Sequence, residues 1–373
     1  MAQKTLRTVL IKPAGPDCNL SCAYCFYKGK AAMFGSKSKH RISSAMLEVV
    51  IGQVMGQSPE SVAFSWQGGE PTLLGLSFYE EAVRLERKYG EGKTVGNAFQ
   101  TNGILLDRRW ARFFRDNEFL VGLSIDGPRH VHDHYRNHLN GSPSWAQVMH
   151  GAETLLASGV AVNAVSTVTR YSGDHPDEVY DFLKGFGFSY MQFIPVVEKP
   201  PGCSQVTDYS VTAAQYGEFL NRLFVRWQND FTLDGPGISI RFFDAVLARY
   251  LGLEAAECEL SDTCGTYLVI EHNGDVYSCD FFVEPDHRLG SLRSDRLIDL
   301  LNSSQQVSFG NAKSQIAATC SACRWLMYCH GGCPKDRVKN PGGDGTSYFC
   351  ESYRKFFESA DPLFRQLAQD LRR

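Results

Sequence analysis

The residues with most chemistry to offer lie near the amino terminus. Cys18-Asn-Leu-Ser-Cys22-Ala-Tyr-Cys25 sets three thiols in a C-x3-C-x2-C loop directly after the extended apolar run Val9-Leu10-Ile11. Three thiolates in one short loop hold three corners of an iron–sulfur cube and leave the fourth iron without a protein ligand. That open iron is where a reaction would begin. A zinc loop is the competing reading, but zinc recruits a fourth Cys or His nearby, and Phe26-Tyr27-Lys28-Gly29 offers none.

The carboxyl-terminal third carries Cys258-x5-Cys264-x14-Cys279, then Cys320-x2-Cys323-x5-Cys329-x3-Cys333, and finally Cys350. Eight thiolates divide into two sets of four, enough for two fully ligated [4Fe-4S] clusters or for two zinc sites. Spacing alone pairs Cys333 with Cys329. Cys203 stands apart and reads as structural.

Other motifs close predicted strands. In Gln67-Gly68-Gly69-Glu70-Pro71 the glycines let backbone approach a ligand, and unpaired backbone groups there would hold an ammonium and a carboxylate. Gln100-Thr101-Asn102-Gly103 and Leu123-Ser124-Ile125-Asp126-Gly127-Pro128 likewise end strands with polar side chains. His130, His132, Asp133, His134 and His138 alternate in a stretch after Gly-Pro and read as a solvated loop rather than a metal site.

The elements that position these residues follow from periodicity. Short apolar strands near 6–12, 62–67, 96–101, 119–125, 160–168 and 189–195 alternate with amphipathic helices near 43–56, 76–89, 107–117, 146–157 and 176–186. Ser43 and Ser44 are cap candidates for the first helix, whose Met46, Val49, Val50 and Val54 form one apolar face with Met46 and Met55 in the core. Six β–α units predict an α/β fold, a partial (β/α)6 barrel of the TIM type, with functional loops at the strand C-termini. The expected organisation is a barrel over 1–197, a bridging helical segment over 198–254 and a cysteine-rich domain over 255–373. The bridge opens on the connector Glu198-Lys199-Pro200-Pro201-Gly202-Cys203 and holds helices near 211–230 and 240–252.

The chain has 373 residues, and its 38 basic residues nearly balance 41 acidic ones, so no basic footprint for nucleic acid stands out. No apolar run is long enough to cross a bilayer and Met1–Arg7 lacks the apolar stretch of a signal peptide, so a cytoplasmic protein without membrane partners is expected. Twelve cysteines in such a compartment point to metal or redox chemistry rather than disulfides.

The Cys18/Cys22/Cys25 loop, with Tyr24 before its last cysteine, resembles the signature of the radical S-adenosylmethionine (SAM) enzymes. The run Gly68-Gly69-Glu70-Pro71 resembles their Gly-Gly-Glu-Pro element, and the later cysteines resemble the SPASM extension. Ile11-Lys12-Pro13, Cys25-Phe26-Tyr27, Trp66 to Leu73 and Tyr277-Ser278-Cys279-Asp280-Phe281-Phe282 look like the anaerobic sulfatase-maturating enzymes, with Ser278 where that family has proline. The likeness runs from Leu10 to about Phe357.

The resemblance implies three [4Fe-4S] clusters and SAM as cofactors. Cys18, Cys22 and Cys25 would hold the SAM cluster, Cys258, Cys264, Cys279 and Cys333 the first auxiliary cluster, and Cys320, Cys323, Cys329 and Cys350 the second. Tyr24, Gly68, Gly69, Glu70, Asn102, Ser124 and Arg136 would contact SAM, with the glycine run at its amino group and Arg136 at its carboxylate. Tyr27, Gln67 and Gln100 would contact the peptide, and Asp280 would be the catalytic base.

The implied reaction oxidises a sulfatase Cys or Ser to Cα-formylglycine. The implied partners are an unfolded or nascent sulfatase bearing Cys/Ser-x-Pro-x-Arg and an electron donor such as flavodoxin or ferredoxin. Two rivals remain, a SPASM enzyme forming thioether or carbon–carbon crosslinks in a ribosomal peptide and a non-catalytic zinc scaffold. The first predicted strand begins almost at once, without the extra recognition domain that crosslinkers often carry, which favours the maturase. Anaerobic reconstitution should yield a brown protein with roughly twelve iron and twelve sulfide per chain. A colourless, zinc-loaded product would select the scaffold.

Overall fold

The computed structural model describes residues 3–35, 39–200, 202–232, 235–341 and 344–372. Met1, Ala2 and the connector residue Pro201 lie outside the described residues. Six strands lie within two residues of the expected positions: β1 (Thr8–Lys12), β2 (Ser61–Trp66), β3 (Thr94–Thr101), β4 (Leu120–Ser124), β5 (Ala161–Val168) and β6 (Tyr190–Pro195). Helices α1 (Ser44–Gln57), α2 (Leu76–Tyr89), α3 (Arg108–Asp116), α4 (Arg129–Tyr135), α5 (Trp145–Ala157) and α6 (Pro176–Phe186) alternate with them. This is the repeated β–α pattern of a partial barrel.

After β6 come α7 (Ala213–Asn229), the short pair β7 (Phe231–Thr232) and β8 (Gly235–Pro236), β9 (Ser239–Ile240) and α8 (Arg241–Tyr250). The cysteine-rich third adds β10 (Leu268–Glu271), β11 (Asp275–Tyr277) and β12 (Arg288–Ser291). Its helices are α9 (Leu297–Leu301), α10 (Ser304–Ala312), α11 (Ala318–Ser321), α12 (Leu326–Cys329), α13 (Pro334–Lys339) and α14 (Cys350–Asp370). Two compact units result, neither continuous in sequence. One comprises 1–124, 137–162 and 265–310; the other comprises 125–136, 163–264 and 311–373.

In the first unit β1 to β4 pair in parallel and in chain order, with Val9 opposite Phe64, Phe64 opposite Asn97 and Phe99 opposite Val121. On its other edge β1 pairs in parallel with β10, Lys12 falling opposite Glu271, and β11 and β12 extend that edge antiparallel. Sequence reading placed no strand in this late region. Leu268-Val-Ile-Glu is too short to show a period, and only the open edge of β1 makes it a strand.

Helix α1 starts at Ser43, whose hydroxyl accepts from the Met46 amide at 3.2 Å. Its buried arc is Met46, Leu47, Val50, Ile51, Val54 and Met55. Val49 was expected on that face and is 39% exposed instead. At 3.6 residues per turn the arc centres near Leu47, Val50 and Val54, which turns Val49 outward.

Phe99, buried on β3, packs against Tyr79 and Phe114, each at 4.9 Å between ring centres, and against Trp110 at 5.8 Å. In the second unit β5 and β6 pair in parallel, and α7 packs on α14 through Phe224 and Phe364 at 5.1 Å. Phe99→Ala should cost about 3–5 kcal/mol, because it opens a cavity among fixed rings. Denaturant melts of wild type and variant measure the loss.

Candidate active site

The cysteine loop is fastened from both sides. Asp17, just before Cys18, accepts from the His40 amide at 2.9 Å and from Arg41 at 2.5 Å, and its other oxygen meets His40 Nδ1 at 2.8 Å. Burial pushes its carboxyl upward, but these donors from His40 and Arg41 hold it below the usual range. The amide of Gly69 donates to the Gly15 carbonyl and that of Glu70 to the Asp17 carbonyl, both at 2.8 Å. The expectation of free amides at these two glycine-run positions therefore fails, because they lace the end of β2 to the loop. A β-carbon on Gly69 would sit 2.0 Å from the Asp17 carbonyl oxygen, and Gly68 has φ +126°, so neither position tolerates a side chain.

Glu70 works on the same scaffold. Its buried carboxylate accepts from the Thr72 amide at 2.9 Å, the Thr72 hydroxyl at 2.6 Å, the Thr101 hydroxyl at 2.8 Å and the Asn102 amide at 2.8 Å. Burial raises its pKa, and those four donors oppose the rise. Asn102 then reaches back to Asn19 Oδ1 at 2.7 Å and to Cys18 Sγ at 3.7 Å. The Cys18 thiol is pushed up to about 12, first by burial and next by the Glu70 charge. A thiol so placed needs a metal cation to ionise.

Beyond Cys25 the chain enters a buried charged cluster. Lys12, 1% exposed at the end of β1, forms an ion pair with Asp280, whose side chain is 16% exposed. The ammonium also lies 3.5 Å from the Tyr27 ring centre. Gln67 Nε2 donates to the other Asp280 oxygen at 3.1 Å. The Tyr27 hydroxyl donates to Glu271 at 2.5 Å, and burial, then the Glu271 charge, holds that phenol well above its ordinary pKa. Phe26 rests on Phe281 at 4.9 Å, closing the apolar side.

Thus Tyr27, Gln67 and Asp280 come together in one unit. Gln100 is instead bonded to the Ser124 hydroxyl, donating at 2.9 Å. Arg136, in the second unit, is buried against Asp126 with contacts of 3.3 and 3.4 Å, and Asp126 also accepts from the Thr167 amide. Tyr24 is buried. The histidines expected in a solvated loop begin on helix α4, and His132 is buried there, its pKa pulled to about 3 by burial. Val131 shares that buried side, so the stretch has a helical rather than a loop pattern.

Among the described residues no two cysteines are joined in a disulfide. Cys320, Cys323, Cys329 and Cys350 line one cavity of about 400 Å³ in the second unit, and Cys333 is not part of its lining. Cys258, Cys264 and Cys333 act together on Lys313, a buried lysine that donates to the carbonyls of Cys258 and Glu259. Burial lowers the Lys313 pKa and the three cysteines counter it. In the first unit, Cys279 Sγ lies 3.5 Å from the Tyr267 hydroxyl. Cys203 is exposed.

These donor sets fit iron–sulfur clusters. Among the described residues, neither the N-terminal trio nor the cavity quartet has three sulfurs within 4.8 Å of one another. Tetrahedral zinc needs its sulfurs about 3.8 Å apart, a spacing that no three sulfurs of either set meet.

Comparison with known proteins agrees. Residues 13–184 match the Radical SAM superfamily and residues 258–324 the SPASM iron-sulfur cluster-binding domain. A serine-type anaerobic sulfatase-maturating enzyme from Bacteroides thetaiotaomicron is 37% identical, over 97% of this chain and 91% of that one. A cysteine-type enzyme from Clostridium perfringens is 34% identical over 98% and 99%. The chain belongs to the anaerobic sulfatase-maturating enzymes. Native anSMEcpe with bound AdoMet and Cp18Cys peptide superposes at a TM-score of 0.89, 34% identity and 98% and 99% coverage. Streptococcus suis SuiB bound to its precursor peptide, 13% identical with a TM-score of 0.63, shares the fold alone.

For this family member, sequence reasoning gave Lys12 no role and missed Glu271. Both end apolar runs, Thr-Val-Leu-Ile-Lys and Leu-Val-Ile-Glu, and a lone charge closing a buried strand is the signal that finds them. Glu70→Ala would strip the Asn102 amide and two hydroxyls of their acceptor, at a cost of about 1–3 kcal/mol for a buried unsatisfied group. Iron per reconstituted chain should then fall by about four, with the cavity set still loaded.

Proposed function

We propose that this chain oxidises a cysteine or serine of a sulfatase to Cα-formylglycine, and that Asp280 is the base of that reaction. The single observation that carries the assignment of the base is the buried assembly of Lys12, Tyr27, Gln67 and Asp280, two residues along the chain from Cys25. Cys18, Cys22 and Cys25 would hold the cluster that chelates SAM, and this pair, when bound and reduced, supplies the abstraction of a hydrogen atom from the substrate Cβ.

What remains is a proton and an electron. Asp280 takes the proton from the thiol or hydroxyl, since its carboxylate keeps partial exposure beside the buried Lys12. Lys12 balances its charge, and Gln67 fixes the plane of the carboxylate by donating to one oxygen. Tyr27 is locked onto Glu271, so its ring, not its hydroxyl, faces the Lys12 ammonium. The auxiliary cysteine sets would hold clusters able to take up the electron. A serine gives the aldehyde directly; a cysteine gives a thioaldehyde that water converts to aldehyde and hydrogen sulfide.

The remaining site residues extend this reading. Gly68, Gly69 and Glu70 meet the SAM amino group through backbone carbonyls, because two of their amides and the Glu70 carboxylate are already engaged. Ser124 with Gln100, Asn102, Tyr24 and Arg136 complete the cofactor and peptide contacts. A flavodoxin or ferredoxin delivers the reducing electron, and the substrate is an unfolded segment bearing Cys/Ser-x-Pro-x-Arg. No helix among the described residues is long and apolar enough to cross a membrane, in keeping with a substrate met before export.

Two measurements test the reading. With SAM, reductant and a Cys- or Ser-x-Pro-x-Arg peptide, mass spectrometry should find the aldehyde, and Asp280→Asn should lower its formation at least a hundredfold while clusters still assemble. Unchanged turnover removes Asp280 from the reaction. Lys12→Met should cut kcat tenfold or more, because it removes the buried cation paired with the Asp280 carboxylate. An unchanged kcat would make Lys12 a packing residue only.

A further inference from the structure

The reaction uses none of the side chains gathered between α4 and the start of α6. His175 is the residue before the first turn of α6, and Glu178 lies within that turn. His130, near the start of α4, brings its Nε2 to 3.0 Å from one Glu178 oxygen, while His175 Nδ1 lies 2.9 Å from the other. One ligand atom from each residue falls within 4.8 Å of the others, the one such trio of metal-binding side chains among the described residues.

The trio is also oriented. The Tyr171 hydroxyl lies 3.1 Å from His130 Nδ1, which fixes the ring with Nε2 toward the carboxylate. Tyr171 is itself held by face-to-face stacking on His134, 3.9 Å between ring centres and 2° from parallel. An outer hydrogen bond that sets tautomer and ring direction is the usual support of a metal-bound imidazole.

Two imidazoles and one carboxylate form a borderline donor set, suited to zinc and neighbouring transition metals rather than to calcium or magnesium, which take oxygen. His130 and Glu178 are about half exposed and His175 a quarter exposed, which leaves room for water at a fourth position. We propose that His130, His175 and Glu178 bind one zinc-like divalent ion, built from no cysteine, that clamps α4 to the start of α6. The clamp would hold the helix whose C-terminal cap is Arg136, the residue buried against Asp126. Binding needs each ring proton on the nitrogen that does not meet the metal, so His130 Nδ1 donates to the Tyr171 hydroxyl oxygen while His130 Nε2 and His175 Nδ1 offer lone pairs to the ion.

The test uses the fully reconstituted, desalted holoenzyme without oxygen, titrated with Zn2+ against a chromophoric chelator. One zinc per chain should bind while the visible iron–sulfur absorption stays constant. Zinc X-ray absorption should show nitrogen and oxygen near ~2.0–2.1 Å with imidazole outer scattering, and no sulfur near ~2.3 Å. Glu178→Gln and His130→Ala should each weaken zinc at least tenfold, and Tyr171→Phe by a smaller factor. Zinc should also raise the melting temperature of wild type but not of Glu178→Gln, which keeps the shape of the first turn and serves as the folded control. Sulfur in the shell, undiminished zinc binding by the variants, or no zinc retained by wild type would each overturn the site and leave a hydrogen-bonded His–Glu–His cluster.

Discussion

The ion pair between Lys12 and Asp280 is the constraint from which the rest of the active region follows. A lysine 1% exposed is tolerable only against a partner charge, and that partner comes from residues more than two hundred positions away. The chain meets this demand by laying β10 beside β1 in parallel register, so that apolar residues pair with apolar ones and Lys12 falls opposite Glu271. Tyr27 then ties the two systems together, its ring under the ammonium and its hydroxyl on Glu271. The position of Asp280, its counter-charge and the Tyr27 ring beside them are thus consequences of one strand pairing.

A second hub supports the cysteine loop. Glu70 joins the ends of β2 and β3 through four hydrogen bonds, and Asn102 carries the connection on to Asn19 and Cys18. A buried carboxylate is expensive to desolvate and is retained where enough donors converge on it. Here they converge from Thr72, Thr101 and Asn102, so the Cys18 loop rests on regular structure rather than on its own backbone alone.

Much of this was legible in the sequence, for reasons that differ by residue. The barrel strands show because β2 and β5 alternate buried and less buried residues along nearly their whole length. The cysteine sets show because thiols have few other reasons to cluster. Asp280, Gln67 and Tyr27 were reached through the family likeness, not through any local pattern. Lys12 and Glu271 escaped because the lone charge that closes each apolar run names no partner until the two strands are paired. The scaffolding role of Glu70 escaped because two of its partners, Thr101 and Asn102, lie at the end of another strand. Val49 was misplaced because four apolar residues in a row of near-helical spacing do not reveal where the buried arc is centred. His130 was set aside with its neighbours, since its companions His175 and Glu178 lie more than forty residues away.

The pairing of β1 with β10 has a further consequence during synthesis. As the chain leaves the ribosome, the first strand emerges with one edge unclaimed, and its lasting partner is not translated until most of the polypeptide exists. Such long sequence separation makes the closing step slow and leaves an edge available for wrong associations. The Lys12–Asp280 pair and the Tyr27–Glu271 bond, which both depend on that late strand, are therefore completed only after most of the chain has been made.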